Sequence, residues 1–157
     1  MLPRAGARAG VRATRVVSRP EAGLMPGRVN AHTRKPMRLL RGVADDLPLM
    51  TWLQQHIWPV EAAVIGPEFV ADGTTLAIAE MLRGGTTCAN ENYFFGDVQA
   101  ALYKQHGFRA LAGAGITASP TAWAKTDDEY VAKAAERPDA RRTDPLTVHP
   151  FAPHASA

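Results

Sequence analysis

The segment Leu24-Met25-Pro26-Gly27-Arg28-Val29-Asn30-Ala31-His32-Thr33-Arg34 decides the fold that the sequence predicts. Its Pro-Gly pair predicts a turn, and the residues that follow predict a short strand around Val29. Residues i and i+2 of a strand point to the same face, so a His-x-His pair at a strand end aims two imidazoles at one point. His32 occupies the first of these positions. Arg34 occupies the second, and its guanidinium has no lone pair with which to coordinate a cation.

Composition narrows the class of protein. The chain has 157 residues, enough for one domain with a hydrophobic core, and its hydrophobic fraction of 46% is that of an ordinary globular protein. No run reaches about 18 apolar residues, so we expect no membrane-spanning helix and no membrane partner. Cys88 is the only cysteine, which excludes an intrachain disulfide and a four-cysteine zinc site. We therefore expect a reducing, cytoplasmic environment.

The positive charge is concentrated at the N-terminus. Residues 1–41 carry ten Lys/Arg and one acid, whereas the other 116 residues carry eight bases and fourteen acids. The first 20 residues contain five arginines and no acid, a composition that a targeting peptide and a poorly ordered arm share. The arginines show little amphipathic order and few serines accompany them, which favours the arm. We expect residues 1–22 to form a disordered basic arm, with no nucleic-acid partner.

Residues 23–157 are predicted to alternate between strands and helices. The spacing of residues 49, 52, 53 and 56 predicts a helix that ends at Pro59, and Thr126 is the predicted N-cap of a later helix. The order predicts parallel βα units, and a closed barrel of eight such units typically needs about 250 residues. We expect an α/β fold, a partial (β/α)8 TIM-type barrel containing about the first four βα units. After the strand around Val29, the predicted strands cover 86–90, 108–116 and 145–152, and the main helices cover 67–83, 97–106 and 127–136.

Several segments closely resemble one enzyme family. Asn30-Ala31-His32-Thr33, the segment 39–49 followed by Trp52-Leu53, and the segment 80–88 are similar to the amidohydrolase superfamily. The similarity is to the branch containing methylthioadenosine/S-adenosylhomocysteine deaminases and triazine hydrolases. This resemblance implies a metal-dependent barrel, with zinc or iron. Such a barrel catalyses hydrolysis at an aromatic ring carbon of a purine-like or triazine-like substrate. It makes residues 23–157 a truncated amidohydrolase barrel domain.

The resemblance also implies roles for individual residues. His32 matches a metal ligand, and Arg34 stands where the family carries its second histidine. Glu61 matches a glutamate that contacts the substrate at its ribose hydroxyls, and His154 matches a histidine that approaches the substrate near the metal. Relatives usually carry an aspartate where Glu91 stands, and small apolar residues follow their His-Thr-His. The family's later histidine, its proton-shuttling glutamate and its aspartate ligand have no match, so no catalytic residue is assigned.

Two functions of different class remain open. The first is an N-terminal fragment of an amidohydrolase-type deaminase or chlorohydrolase that acts on a nucleoside-like small molecule, binds no metal and is inactive alone. The second is a non-catalytic half-barrel that forms a homo-oligomer through its open edges or binds an anionic partner at Arg34. Each candidate residue also has an ordinary interpretation: a histidine at a strand end, a glutamate after Trp-Pro and a terminal histidine are common without any function.

Overall fold

The computed structural model describes residues 12, 14–117, 120–136 and 145–153. Five strands and five α-helices lie in these ranges. The strands are β1 (Arg28–Thr33), β2 (Thr86–Tyr93), β3 (Arg109–Ile116), β4 (Thr147–Val148) and β5 (Phe151–Pro153). The helices are α1 (Leu49–Trp52), α2 (Trp58–Val64), α3 (Pro67–Arg83), α4 (Gly96–His106) and α5 (Asp127–Ala135). A 3-10 helix, Lys35–Leu40, follows β1, and a π-helical turn, Leu53–Ile57, joins α1 to α2.

The strands form one parallel sheet in the order β1-β2-β3-β4, and β5 also pairs with β3. Helices alternate with the strands along the chain, so the predicted order of parallel βα units is confirmed. The single last strand predicted over 145–152 is wrong, because β4 and β5 are separated by His149-Pro150. Proline has no backbone N–H to donate to a strand ladder, which accounts for the break.

The helix predicted to end at Pro59 continues instead. It widens into the π-helical turn and resumes as α2, in which Pro59 occupies the first turn. A proline inside a regular helix would remove a hydrogen bond and clash with the carbonyl four residues earlier. In the first turn of a helix its missing N–H costs nothing, and the wider preceding turn makes room for its ring. The continued helix brings Glu61 to the sheet.

The two faces of the sheet differ in burial. On the helix side, Ala89 and Ala110 pack with Ile78, Tyr103 and Phe108, and all five are buried. The opposite face is open: Val29 is 67% exposed, Leu111 36% and Val148 57%. Leu111 is in register with Val148, so the two form one row on this face. Since parallel sheets are normally buried on both faces, we expect another layer of protein to pack against this apolar row.

Helix α3 contacts the segment that follows β1 at one closely packed point. A Cβ added at Gly73 would lie 2.6 Å from both Cα and O of Pro36. Only glycine fits there, although glycine inside a helix costs about 1 kcal/mol relative to alanine. The contact anchors the 3-10 helix against α3 and fixes the chain directly after His32 and Arg34.

The predicted cap is found at the start of α5, and a glycine ends α4. The Thr126 hydroxyl accepts a hydrogen bond from the Glu129 backbone N–H at 3.2 Å, which satisfies one free donor at the start of α5. Gly107 ends α4 with φ +63°, a conformation that favours glycine.

No single helix in the described part of the chain is long and apolar enough to cross a membrane. Two consecutive helical segments, Leu49–Val64 and Pro67–Arg83, are long and apolar enough only when taken together, and they are bent by 111° at the break between them. Within the second segment, Val70 and Ala77 are fully buried.

Candidate functional site

The end of β1 is irregular, and the irregularity decides which side chains face the helices. Asn30 pairs with Ala89 and Thr33 pairs with Glu91. Between these two pairs β1 advances by three residues while β2 advances by two, so β1 contains one extra residue. A bulge of this kind changes the direction of the side chains that follow it. Thr33 is buried beside Glu91, whereas His32, one residue earlier, is exposed. The backbone N–H of His32 donates to Asn30 Oδ1 at 3.3 Å.

Lys35 lies in a polar network that is wholly buried between β2 and α4. Its Nζ is 2.9 Å from Glu91 Oε2, 3.2 Å from Thr33 Oγ1 and 3.1 Å from Tyr103 Oη. These contacts use all three donors of the ammonium group. Tyr103 in turn donates to Gln99 Oε1 at 2.8 Å. The network ties the residues after Arg34 to the neighbouring strand and helix.

The charged pair in this network is fully removed from water, since both side chains have 0% exposure. Burial lowers the pKa of Lys35 and raises the pKa of Glu91, while the opposite charge of each partner acts against its shift. The sequence carries only a weak signal for this pair. The family resemblance draws attention to Glu91, and no local pattern predicts that Lys35 is its partner.

Glu61 and Arg34 are brought to the end of β2. The Tyr93 hydroxyl donates to Glu61 Oε1 at 2.6 Å. Burial raises the pKa of Glu61, whereas the Tyr93 hydrogen bond and the nearby Arg34 charge oppose the increase. Burial and the Glu61 charge together raise the pKa of Tyr93, so the phenol stays a hydrogen-bond donor at neutral pH. Glu61 and Arg34 are each partly exposed, so both can be reached by a ligand.

Within the described part of the chain, the residues do not fit a catalytic zinc ion. Such an ion takes about three protein ligands and a water molecule. Among the residues that the structure describes, no three His, Cys, Asp or Glu side chains are grouped to hold a metal. Beside His32, the guanidinium of Arg34 cannot coordinate and would repel the ion. His154 lies outside the described residues.

An open groove begins at Arg34 and follows the loop after the 3-10 helix. It has a volume of about 610 Å³ and is lined by both apolar and charged side chains. Arg38 and Arg41 both bind Glu80 Oε2, at 3.2 and 2.7 Å. Trp52 also lines the groove, and its indole N–H donates to the Val43 carbonyl at 3.0 Å. The acidic Asp45 and Asp46 also line this groove and are exposed.

Comparison with known proteins identifies the family. The amidohydrolase family pattern matches residues 24–155. The chain is 50% identical to a 5-methylthioadenosine/S-adenosylhomocysteine deaminase of Thermodesulfovibrio yellowstonii, over 85% of this chain and 30% of that protein. It is also 50% identical to the deaminase of the same name from Teredinibacter turnerae, over 88% of this chain and 31% of the other.

Solved structures agree with this result. An adenosine deaminase from Xanthomonas campestris, crystallised with bound zinc, is 75% identical and superposes with a TM-score of 0.91, over 98% of this chain and 35% of that chain. The atrazine chlorohydrolase of Arthrobacter aurescens superposes with a TM-score of 0.69 at 16% identity, over 83% of this chain and 35% of the other, a likeness of fold alone.

The chain therefore belongs to the amidohydrolase family, and the resemblance predicted from its motifs is confirmed. It spans about a third of the length of the relatives that it matches. The predicted α/β fold, a partial barrel of about four βα units, is also confirmed.

Proposed function

We propose that this chain supplies the first part of the active site of an amidohydrolase-type deaminase that acts on adenosine derivatives, and that it does not deaminate when alone. The contact of Glu61 with Tyr93, beside Arg34 and at the carboxyl end of the parallel sheet, carries this proposal. In barrels of this type, the loops at the carboxyl ends of the strands build the active site. An adenosine derivative is preferred to a triazine because the deaminases are 50% identical to this chain, whereas the chlorohydrolase is 16% identical.

Glu61 has the chemistry that a ribose contact needs. An ionised carboxylate accepts hydrogen bonds on two oxygens, so it can bind both hydroxyls of a vicinal diol. Tyr93 uses only one position on Oε1. In this proposal Glu61 binds the sugar, His32 occupies the position of a family metal ligand, and His154 occupies the position of the histidine that approaches the substrate near the metal.

The inactivity that we expect of the isolated chain follows from its single match to a family metal ligand. His32 is the single residue of the chain that matches a family metal ligand, and Arg34 adds a permanent positive charge two residues later. One imidazole cannot replace the three protein ligands of a catalytic zinc ion. We therefore expect neither zinc retention nor turnover.

The test uses the purified chain and its Arg34→His variant, with Arg38→His as the matched control from the same groove. Each protein is dialysed against zinc, its metal content is measured, and ammonia release from S-adenosylhomocysteine and methylthioadenosine is followed. We expect no stoichiometric zinc and no ammonia from the original chain, and tighter zinc binding by Arg34→His alone. Zinc-dependent ammonia release by the unaltered chain would contradict the proposal.

The second candidate is a half-barrel that assembles with another copy of itself. The exposed row of Leu111 and Val148, with Val29 on the same sheet, favours it because an apolar face of a parallel sheet is normally covered. Light scattering distinguishes the two: a discrete oligomer that Leu111→Lys dissociates supports assembly, and a folded monomer rules it out.

We also infer a cytoplasmic location and a domain that begins at residue 23. The location is supported by the single cysteine, Cys88, and the boundary by the concentration of arginines before that residue. Limited proteolysis should remove residues 1–22 first, and protection of that segment would contradict the boundary.

A further inference from the structure

The contact between Tyr93 and Glu61 joins a rigid strand to the helix that carries the proposed sugar contact. Tyr93 is the last residue of β2, a central strand that pairs with β1 on one side and β3 on the other. Its side chain is 3% exposed, and its ring packs against Phe94 with 5.0 Å between centroids. The hydroxyl is therefore held in place by the sheet. A site supported by a strand is more exact than one on a loop.

Glu61 lies on a shorter and less regular element than Tyr93. It lies in α2, a helix of seven residues that follows the π-helical turn. The Glu61 side chain accepts a hydrogen bond from the Tyr93 hydroxyl at 2.6 Å, and Arg34 contributes a positive charge. The phenol donates to Oε1, so the lone pairs of Oε2 remain for a ligand. Hydrogen bonds to a carboxylate also favour its ionised form, which is the form that accepts from hydroxyl groups.

We propose that Tyr93 is a positioning residue that fixes the Glu61 carboxylate for the vicinal diol of a riboside, and that it thereby determines the preference for ribosides over sugars without that diol. This inference rests on the proposed function, because it assumes that Glu61 binds the sugar. Tyr93 acts through Glu61 and does not itself contact the substrate.

The experiment measures the binding of adenosine and of 2′,3′-dideoxyadenosine to the full chain by calorimetry. Tyr93→Phe removes one hydroxyl and keeps the ring. Tyr130→Phe is the matched control, because Tyr130 is also buried and its hydroxyl lies 2.6 Å from Thr121 Oγ1. We expect Tyr93→Phe to weaken adenosine binding about tenfold, as the loss of one hydrogen bond to a charged group does, with dideoxyadenosine binding unchanged. Tyr130→Phe should change neither.

Glu61→Gln distinguishes the positioning role of Tyr93 from the sugar-binding role of Glu61. If it abolishes the preference for adenosine and Tyr93→Phe does not reduce that preference, Tyr93 has no positioning role, although the proposed function stands. If the original chain shows no preference, or Glu61→Gln retains it, the sugar-binding role of Glu61 is wrong and this inference fails with it.

A spectroscopic measurement tests the contact without a ligand. The carboxyl carbon of Glu61 can be followed by NMR through a pH titration. Because the Tyr93 hydrogen bond opposes the increase in the pKa of Glu61 that burial causes, Tyr93→Phe should raise that pKa further. An unchanged pKa in this variant would overturn the positioning role even if binding were altered.

Discussion

Replacing Glu91 by glutamine should destabilise the fold. The cost of removing the proton from the unpaired Lys35 sets the upper limit of that loss. The pair is 2.9 Å apart with both side chains fully buried, so their attraction is about 6 kcal/mol at an effective dielectric constant of 20. Without its partner, Lys35 can release its proton. Its ordinary pKa is 10.5, so release at pH 7 costs about 4.8 kcal/mol at 1.36 kcal/mol per pKa unit. We expect Glu91→Gln to lose about 3–5 kcal/mol, the usual effect of breaking a buried pair.

Replacing Lys35 instead of Glu91 should have a smaller maximum effect on stability and the opposite pH dependence. In Lys35→Met, Glu91 can take up a proton, which from its ordinary pKa of 4.5 costs about 3.4 kcal/mol at pH 7. The folded state then binds more protons than the unfolded state, so Lys35→Met should gain stability as pH falls towards 4.5. In Glu91→Gln the folded state binds fewer protons, so that variant should gain stability as pH rises towards 10.5.

Urea unfolding of both single variants and of the double variant Lys35→Met/Glu91→Gln provides the assay. The double variant leaves no buried charge, and the glutamine oxygen can still accept from the Lys35 backbone N–H that now donates to Glu91 at 3.2 Å. We expect it to be more stable than Glu91→Gln alone. A loss below about 1 kcal/mol in Glu91→Gln, within the range of an exposed pair, would refute the reasoning, as would pH slopes of the same sign.

Three further changes test the packing, the capping and the surface charges. Gly73→Ala should lose about 1–3 kcal/mol in urea unfolding because its Cβ would overlap Pro36, and a neutral or stabilising effect would show that the 3-10 helix moves freely. Thr126→Ala should lose about 1 kcal/mol because it removes the N-cap of α5, and Thr126→Ser should retain most of that stability. The hydrogen bond from Arg41 lowers the pKa of Glu80, so its stabilising effect is present above the ordinary pKa and is lost as pH falls through the folded value. Glu80→Gln should therefore differ from the original chain at neutral pH and match it in acid, and a constant difference would contradict the ion pair.

The sequence predicted the features that depend on local patterns. The helix Pro67–Arg83 was predicted with the bounds that the structure has, because Pro67 and Gly84 mark its ends and its apolar residues repeat at helical spacing. The Thr126 cap has an equally local cause. The π-helical turn before Pro59 was missed, because proline usually ends a helix and the wider turn has no clear local pattern.

The candidate site was predicted less well, because its contacts join distant residues. Lys35 and Glu91 are 56 positions apart, and Glu61 and Tyr93 are 32 apart. No periodicity links such positions, so only the family resemblance drew attention to Glu61. Whether the candidate residues bind a ligand or a metal stays a prediction.

The contacts of Lys35 bear on how Arg34 is understood. A lysine that entered the core by random decay would leave a buried charge without partners, which costs several kcal/mol. Lys35 instead has three partners for its three donors, and one of them is the carboxylate of Glu91. The backbone N–H of Lys35 also donates to Glu91. The network therefore fixes the residue that follows Arg34 to β2, and with it the backbone position of Arg34.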